Sequence, residues 1–335
     1  MTITFTLLLV TLVVVIAFIF DFTNGFHDAA NAIATCVATR ALKPGQALVM
    51  AAVMNFVGAM LGTGVAETIG SGIISPPQDN GGLVVVLGGL LGAIGWNIIT
   101  WWFGLPSSSS HALIGALTGA GLVAGTTVHW LVIGEKVIIP MFLSPVIGFL
   151  IAYGVMKLVL KALEHAQYKA TMSRFRRLQI FSSAAVALGH GLQDAQKTMG
   201  VVVLALVAAG YHTGTGIPMW VKFGAALAIS LGTLTGGKRI MKTLGQNITE
   251  VDPSRGFVSE MVGASVLYTT AFLWHAPVST THVITAGVMG VGATRRRSAV
   301  KWGVAGNIVT AWFLTLPAAG VMAMIFYSVL KLFLM

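Results

Sequence analysis

Apolar residues in this chain come in blocks of roughly twenty, the length at which a helix crosses the hydrocarbon core of a bilayer. Between the blocks there is little polar sequence to coat a soluble domain: 56% of the 335 residues are hydrophobic, 9% are charged and 40 are glycine. Such a composition excludes a soluble globular enzyme and a disordered tail protein. Inside a bilayer each backbone N–H and C=O must be satisfied within the chain, so the expected class is an all-α polytopic membrane protein. The lone cysteine, Cys36, excludes a disulfide framework and a cysteine-built metal site. Residues 1 to 20 hold no Lys or Arg and no small-residue cleavage pattern, so they are expected to stay as a membrane segment.

A net charge of +10 could suggest nucleic acid, but the cations sit in short loops, where the positive-inside rule accounts for them. Ten apolar stretches can be marked: 4–39, 46–70, 82–104, 108–126, 138–161, 180–209, 219–236, 256–274, 282–294 and 302–329. With the first residue outside, the inner connections collect Arg40, Lys43, Lys157, Lys161, Lys169, Arg174, Arg176 and Arg177. They also collect Lys238, Arg239, Lys242, Arg255, Arg295, Arg296, Arg297 and Lys301, which makes 16 of the 20 cations. Lys136, Lys222 and Lys331 fall on the other side, and Lys197 lies within a stretch. This distribution predicts both termini outside and a cytoplasmic basic linker.

Five stretches precede the linker at 162–179 and five follow it, so halves 1–161 and 180–335 run in opposite senses, as inverted-topology repeats do. Two internal matches fit that scheme. Gly25-Phe26-His27-Asp28-Ala29-Ala30-Asn31 pairs with Gly191-Leu192-Gln193-Asp194-Ala195-Gln196-Lys197, and Pro106-Ser107-Ser108-Ser109-Ser110-His111 pairs with Pro277-Val278-Ser279-Thr280-Thr281-His282. A third likeness, Asn55 to Ala59 with Glu260 to Ala264, joins stretches running the same way and does not fit. Stretch 4–39 is too long for one crossing and is interrupted by Asp21, Thr23, Asn24, Gly25, His27, Asp28 and Asn31, while 282–294 is too short. Both anomalies predict broken or re-entrant helices lining a polar cavity.

The hydroxyl motifs put small donors where a helix begins after proline, beside unpaired N–H groups and the positive end of the helix dipole. Ser108, Ser109, Ser110, Ser279, Thr280 and Thr281 are therefore expected to hold an oxyanion. Simple N-capping is the plainer use of such residues, but one cap needs one hydroxyl. Asp28 and Asp194 are costly in hydrocarbon, by about 3 kcal/mol each on insertion scales, and each needs a partner or a proton. Asn31, one turn beyond Asp28, offers an oxygen to a small cation; the matching Lys197 can put its ammonium beside Asp194, as cation substitute or as structural ion pair. His27, His111, His190 and His282 belong to the paired motifs and suit either proton coupling or packing.

With these residues in view, the sequence resembles the inorganic phosphate transporter family called PiT, along essentially its whole length. The resemblance implies secondary-active phosphate uptake coupled to sodium or protons, two inverted repeats and a homodimer, with no cofactor. It places the family's aspartates at Asp28 and Asp194, its first-repeat asparagine at Asn31, its hydroxyl motifs at Ser108–Ser110 and Ser279–Thr281, and a further position at His190. Asp28, Asn31 and Asp194 become the candidate sodium ligands. Two departures count against sodium: Lys197 replaces the second asparagine, and the glutamate matched by Glu260 has Asn55 at its first-half partner. A fixed ammonium supplies positive charge without a metal ion, which favours proton–phosphate symport, with Asp28, Asn31, Asp194, Lys197, His190 and Glu260 as coupling groups.

Three other readings compete. A sulfate permease on the same framework would use the same hydroxyl donors, and a passive channel the same pore. An intramembrane aspartyl protease would pair the aspartates, but the expected Gly-x-Gly-Asp pattern is absent, and no Gly-x-Ser-x-Gly surrounds Ser107 to Ser110.

Overall fold

In the computed structural model, residues 3–214, 216–236, 240–241, 243–244 and 248–335 are described. The first long apolar run forms one helix, α1 (Ile3–Ala38), which is unbroken over 36 residues. A break was expected among its polar residues, and there is none. Those side chains are buried against neighbouring helices, where Asn24, His27, Asp28 and Asn31 find side-chain partners, so the polar run does not break the α1 backbone. At 1.5 Å per residue the helix is roughly 54 Å long, well beyond a bilayer core. The break falls instead between α2 (Pro44–Met60) and α3 (Gly64–Gly72), which meet at a bend of 72°.

Helix α4 (Asn80–Phe103) starts on Asp79, whose carboxylate accepts from the Gly82 N–H at 3.0 Å, and stops at Gly104 with φ 65°. Then follow α5 (Ser109–Ala124) and α6 (Trp130–Ala162), the latter loosened by a π turn at Gly134–Ile138. A 41-residue helix, α7 (Tyr168–Ala208), opens the second half of the chain. The basic stretch at 162–179 is helical from Tyr168 onward, and its Lys169, Arg174, Arg176 and Arg177 are exposed. After α8 (Met219–Thr235) and α9 (Pro253–Thr269), which runs into a π turn at Thr270–Trp274, come α10 (Thr280–Ala293) and α11 (Trp302–Leu334). Lys238, Arg239 and Lys242 lie outside the described residues. Two-residue strands, β1 (Ile74–Ser75) and β2 (Thr127–Val128), pair antiparallel.

Among the described residues, five helices are long and apolar enough to span a membrane, or six if the bent pair counts as one span. The protein is thus an all-α, multi-pass membrane protein. Its helices pack in reciprocal pairs: α1 on α8 and α7 on α2, α5 on α11 and α10 on α6. Glycine permits the closest approaches. A Cβ at Gly58 would lie 2.0 Å from the Leu188 carbonyl oxygen, and one at Gly232 would lie 2.1 Å from that of Phe22. Equivalent contacts join Gly119 to the Gly320 oxygen (2.3 Å) and Gly290 to the Phe149 oxygen (2.4 Å).

Candidate functional site: two aspartates and two hydroxyl-bearing helix starts

Polar residues of α1 recur every three or four positions, at Asp21, Asn24, Asp28, Asn31 and Thr35, so they form one stripe along the helix. A similar stripe on α7 carries Ser182, His190, Asp194 and Lys197. Asn24 Nδ2 donates to Asp194 Oδ2 at 3.1 Å, and Asp28, His190 and Asp194 each present an atom within 4.8 Å of the other two. As α1 advances from Asn24 to Asp28, α7 recedes from Asp194 to His190. The stripes therefore cross antiparallel, with both aspartates at the crossing.

Into this crossing point the starts of α5 and α10. Ser109 Oγ lies 3.0 Å from Asp28 Oδ2 and 3.4 Å from Asp194 Oδ2. Thr280 Oγ1 donates to Asp194 Oδ1 at 3.3 Å, and Thr281 Oγ1 to Asp28 Oδ1 at 3.4 Å. Each helix start thus serves both aspartates, α5 through Ser109 alone and α10 through two successive threonines. Ser108 and Ser279 do other work: their hydroxyls accept from the N–H groups of His111 and His282, both at 3.2 Å, and cap the two helices. Ser110 donates to the Val278 carbonyl at 3.2 Å, tying one hydroxyl segment to the other.

Lys197 closes the centre. Its ammonium is 1% exposed and uses three donors, to Asp194 Oδ2 at 2.9 Å, Ser109 Oγ at 3.1 Å and Ser110 Oγ at 2.9 Å. It forms an ion pair with Asp194, beside the point where Asp28, His190 and Asp194 each bring an atom within 4.8 Å of the other two. Asn31 Nδ2 donates to Thr281 Oγ1 at 2.8 Å, which leaves its Oδ1 without a hydrogen-bond partner among the described residues. Thr281 links Asn31 to Asp28, so the expected cation ligands Asp28, Asn31 and Asp194 belong to one hydrogen-bonded network.

The four motif histidines divide. His27 lies between Asp28 Oδ1 (2.7 Å) and Thr100 Oγ1 (3.0 Å), and His190 between Asn55 Oδ1 (3.0 Å) and Asp194 Oδ2 (3.3 Å). His111 and His282 instead pack ring against ring at 4.8 Å, and His282 stacks on Trp312 at 4.0 Å. Glu260, expected among the coupling groups, sits in a separate buried cluster with Thr35 (2.5 Å), Gln179 (3.1 Å) and Ser182. Thr35 lies seven residues beyond Asp28, roughly 10 Å along α1.

Several site residues were missed in the sequence. Asn24, Thr100, Ser107 and Asn55 all support the charged groups, and the helical spacing of Asn24 with Asp28 was the available signal. The pair His27–Thr100 has a counterpart in Gln193 Nε2, which donates to Thr270 Oγ1 at 2.8 Å.

Comparison with known proteins agrees with this arrangement. The sequence matches the phosphate transporter family over residues 24–323. A probable low-affinity inorganic phosphate transporter of Bacillus subtilis (strain 168) is 46% identical over 331 residues, covering 97% of this chain and 98% of its own length. Another from Rhizobium meliloti (strain 1021) is 46% identical over 322 residues, covering 94% of each chain. A solved structure described as the sodium-dependent phosphate transporter superposes with a TM-score of 0.87 at 27% identity, over 97% of this chain and 99% of that one. These relatives are transporters, not enzymes. The matched span takes in both aspartates and both hydroxyl-bearing helix starts, and the chain belongs to the phosphate transporter family.

Proposed function

We propose that the protein carries inorganic phosphate across the membrane by alternating access, as a proton-coupled symporter. One observation carries the reading: two carboxylates, one ammonium and hydroxyls from two separate helix starts converge in a single buried centre. An incoming phosphate can take over the donors of Ser109, Ser110, Thr280, Thr281 and Lys197, with the helix N-termini adding their partial positive charge. Monohydrogen phosphate can also donate its own hydrogen bond to Asp28 or Asp194, which sulfate cannot do at neutral pH. Competition by unlabelled sulfate tests that distinction, and equal competition would favour the sulfate reading.

Proton coupling is favoured over sodium because Lys197 already neutralises Asp194. Purified protein in proteoliposomes is expected to accumulate labelled phosphate under an imposed pH gradient and not under a sodium gradient. Asp28→Asn is expected to abolish accumulation at normal protein abundance; undiminished coupled uptake would remove Asp28 from the mechanism. Reciprocal packing of α1 on α8 and α7 on α2, with the matching His27–Thr100 and Gln193–Thr270 pairs, supports two inverted repeats at 1–161 and 180–335 around the basic linker at 162–179. The same reading puts both termini outside and the linker in the cytoplasm, and family resemblance adds a homodimer.

A further inference from the structure

The polar stripe of α1 begins before the centre described above, at Asp21, a carboxyl with no part in that reading. It is 0% exposed, and its polar neighbours, the side chains of Asn24 and Thr198, make only loose contacts with its oxygens. Asn24 and Thr198 flank it, and the charged groups acting on it are Lys197 and Asp194. Thr198 Oγ1 has no other hydrogen-bond partner among the described residues, and Asn24 already has its Nδ2 on Asp194. An ionised carboxylate there would have no paired counter-ion and only these loose donors, whereas a carboxyl holding a proton can donate to a neighbouring oxygen.

The internal repeat sharpens the point. Asp21 precedes Asp28 by seven residues, and the residue seven before Asp194 is Ala187; Asn31 follows Asp28 by three, and its counterpart is Lys197. The antiparallel crossing brings Asn24 to Asp194 and Asp28 to His190, and it brings Asp21 to the level of Lys197. At this level, the departure from the twofold pattern adds one acid and one base together. Lys197 meanwhile has its three donors committed to Asp194, Ser109 and Ser110.

Other titratable groups are further along the crossing (Asp28, His27, His190) or behind it (His111, His282). Helices α2 and α4, which also pack on α1, contain none. Helix α8 brings only the half-buried Lys222, and α9 brings Arg255, Glu260, held at the level of Thr35, and Tyr268, whose hydroxyl donates to the Ala185 carbonyl.

We propose that Asp21 carries the coupling proton, holding it while Lys197 is paired with Asp194 and releasing it when Lys197 turns to Asp21. The inference rests on the proton-coupled reading above. When phosphate leaves, the ammonium is freed from the anion; the O–H bond of Asp21 breaks, the proton passes to water on the side then open, and Lys197, keeping its own three protons, pairs with the new carboxylate. Phosphate and proton are thereby released to the same side.

The test uses the full chain in proteoliposomes, comparing wild type, Asp21→Asn and Asp21→Glu. Asp21→Asn is expected to lose about tenfold or more of the accumulation driven by a pH gradient. It should also lose the proton uptake that accompanies phosphate, read by an internal pH dye. Exchange of labelled for unlabelled phosphate, which needs no net proton movement, should persist, and Asp21→Glu should keep gradient-driven uptake. If Asp21→Asn accumulates phosphate as wild type does, or loses exchange together with accumulation while remaining monodisperse, Asp21 is not the carrier. A wild type driven by sodium and indifferent to pH would instead overturn the proton-coupled reading itself.

Discussion

Ser108 and Ser109 are chemically identical neighbours with different tasks, because one step along a helix start turns a side chain by about 100°. Ser108 faces its own backbone and caps α5, while Ser109 faces the aspartates. Ser108→Ala is therefore expected to lower stability by about 1 kcal/mol, read as a fall in the thermal midpoint in detergent. Ser109→Ala removes a donor shared by both carboxylates and should weaken phosphate transport by about tenfold or more at similar stability. Equal transport losses in the two variants would contradict the division. The sequence showed that these hydroxyls exceed the needs of capping but could not divide them, since the division depends on rotation about the helix axis. It likewise could not separate His27 and His190 from His111 and His282, or move Glu260 out of the centre, because those assignments depend on which helix lies opposite. Asp28 and Asp194 were legible because a carboxylate inside an apolar block is conspicuous whatever surrounds it.

At the scale of the element, the longest apolar stretch misled. A run of polar residues in α1 looks like a break when each is imagined facing lipid, yet all of them face protein and the helix continues. The glycines of the helix crossings were equally opaque in sequence, since many glycines here touch nothing. Gly58 differs from Gly154 in this respect: a Cβ on Gly58 would run into the Leu188 carbonyl, while Gly154 has nothing within 4 Å. Gly58→Ala is expected to destabilise the protein by about 1–3 kcal/mol through overpacking of α2 on α7. Gly154→Ala should be neutral or stabilising by up to about 1 kcal/mol, as alanine for glycine is inside a helix. Thermal unfolding of the two purified variants checks both, and matched midpoints would show that the backbone contact carries no weight.

For the whole molecule, the membrane class was readable from block length and composition, and the family from two pairs of short motifs. Orientation rests on the distribution of cations and has a direct test. Cys36 is buried, so a membrane-impermeant thiol reagent should meet little native background. Tyr211→Cys, between α7 and α8, should label in intact cells, whereas Glu164→Cys, before α7, should label only after permeabilisation. The opposite pattern would invert the assigned topology.

The centre has a frame built nearly in duplicate, but only one arm of it bears an ammonium. A solute arriving from one face of the membrane therefore meets a different electrical landscape from one arriving at the other. Under the alternating access proposed above, gradients alone decide the direction of net flux, but the forward and return half-cycles need not run at equal speed, and apparent affinities measured from the two faces should differ.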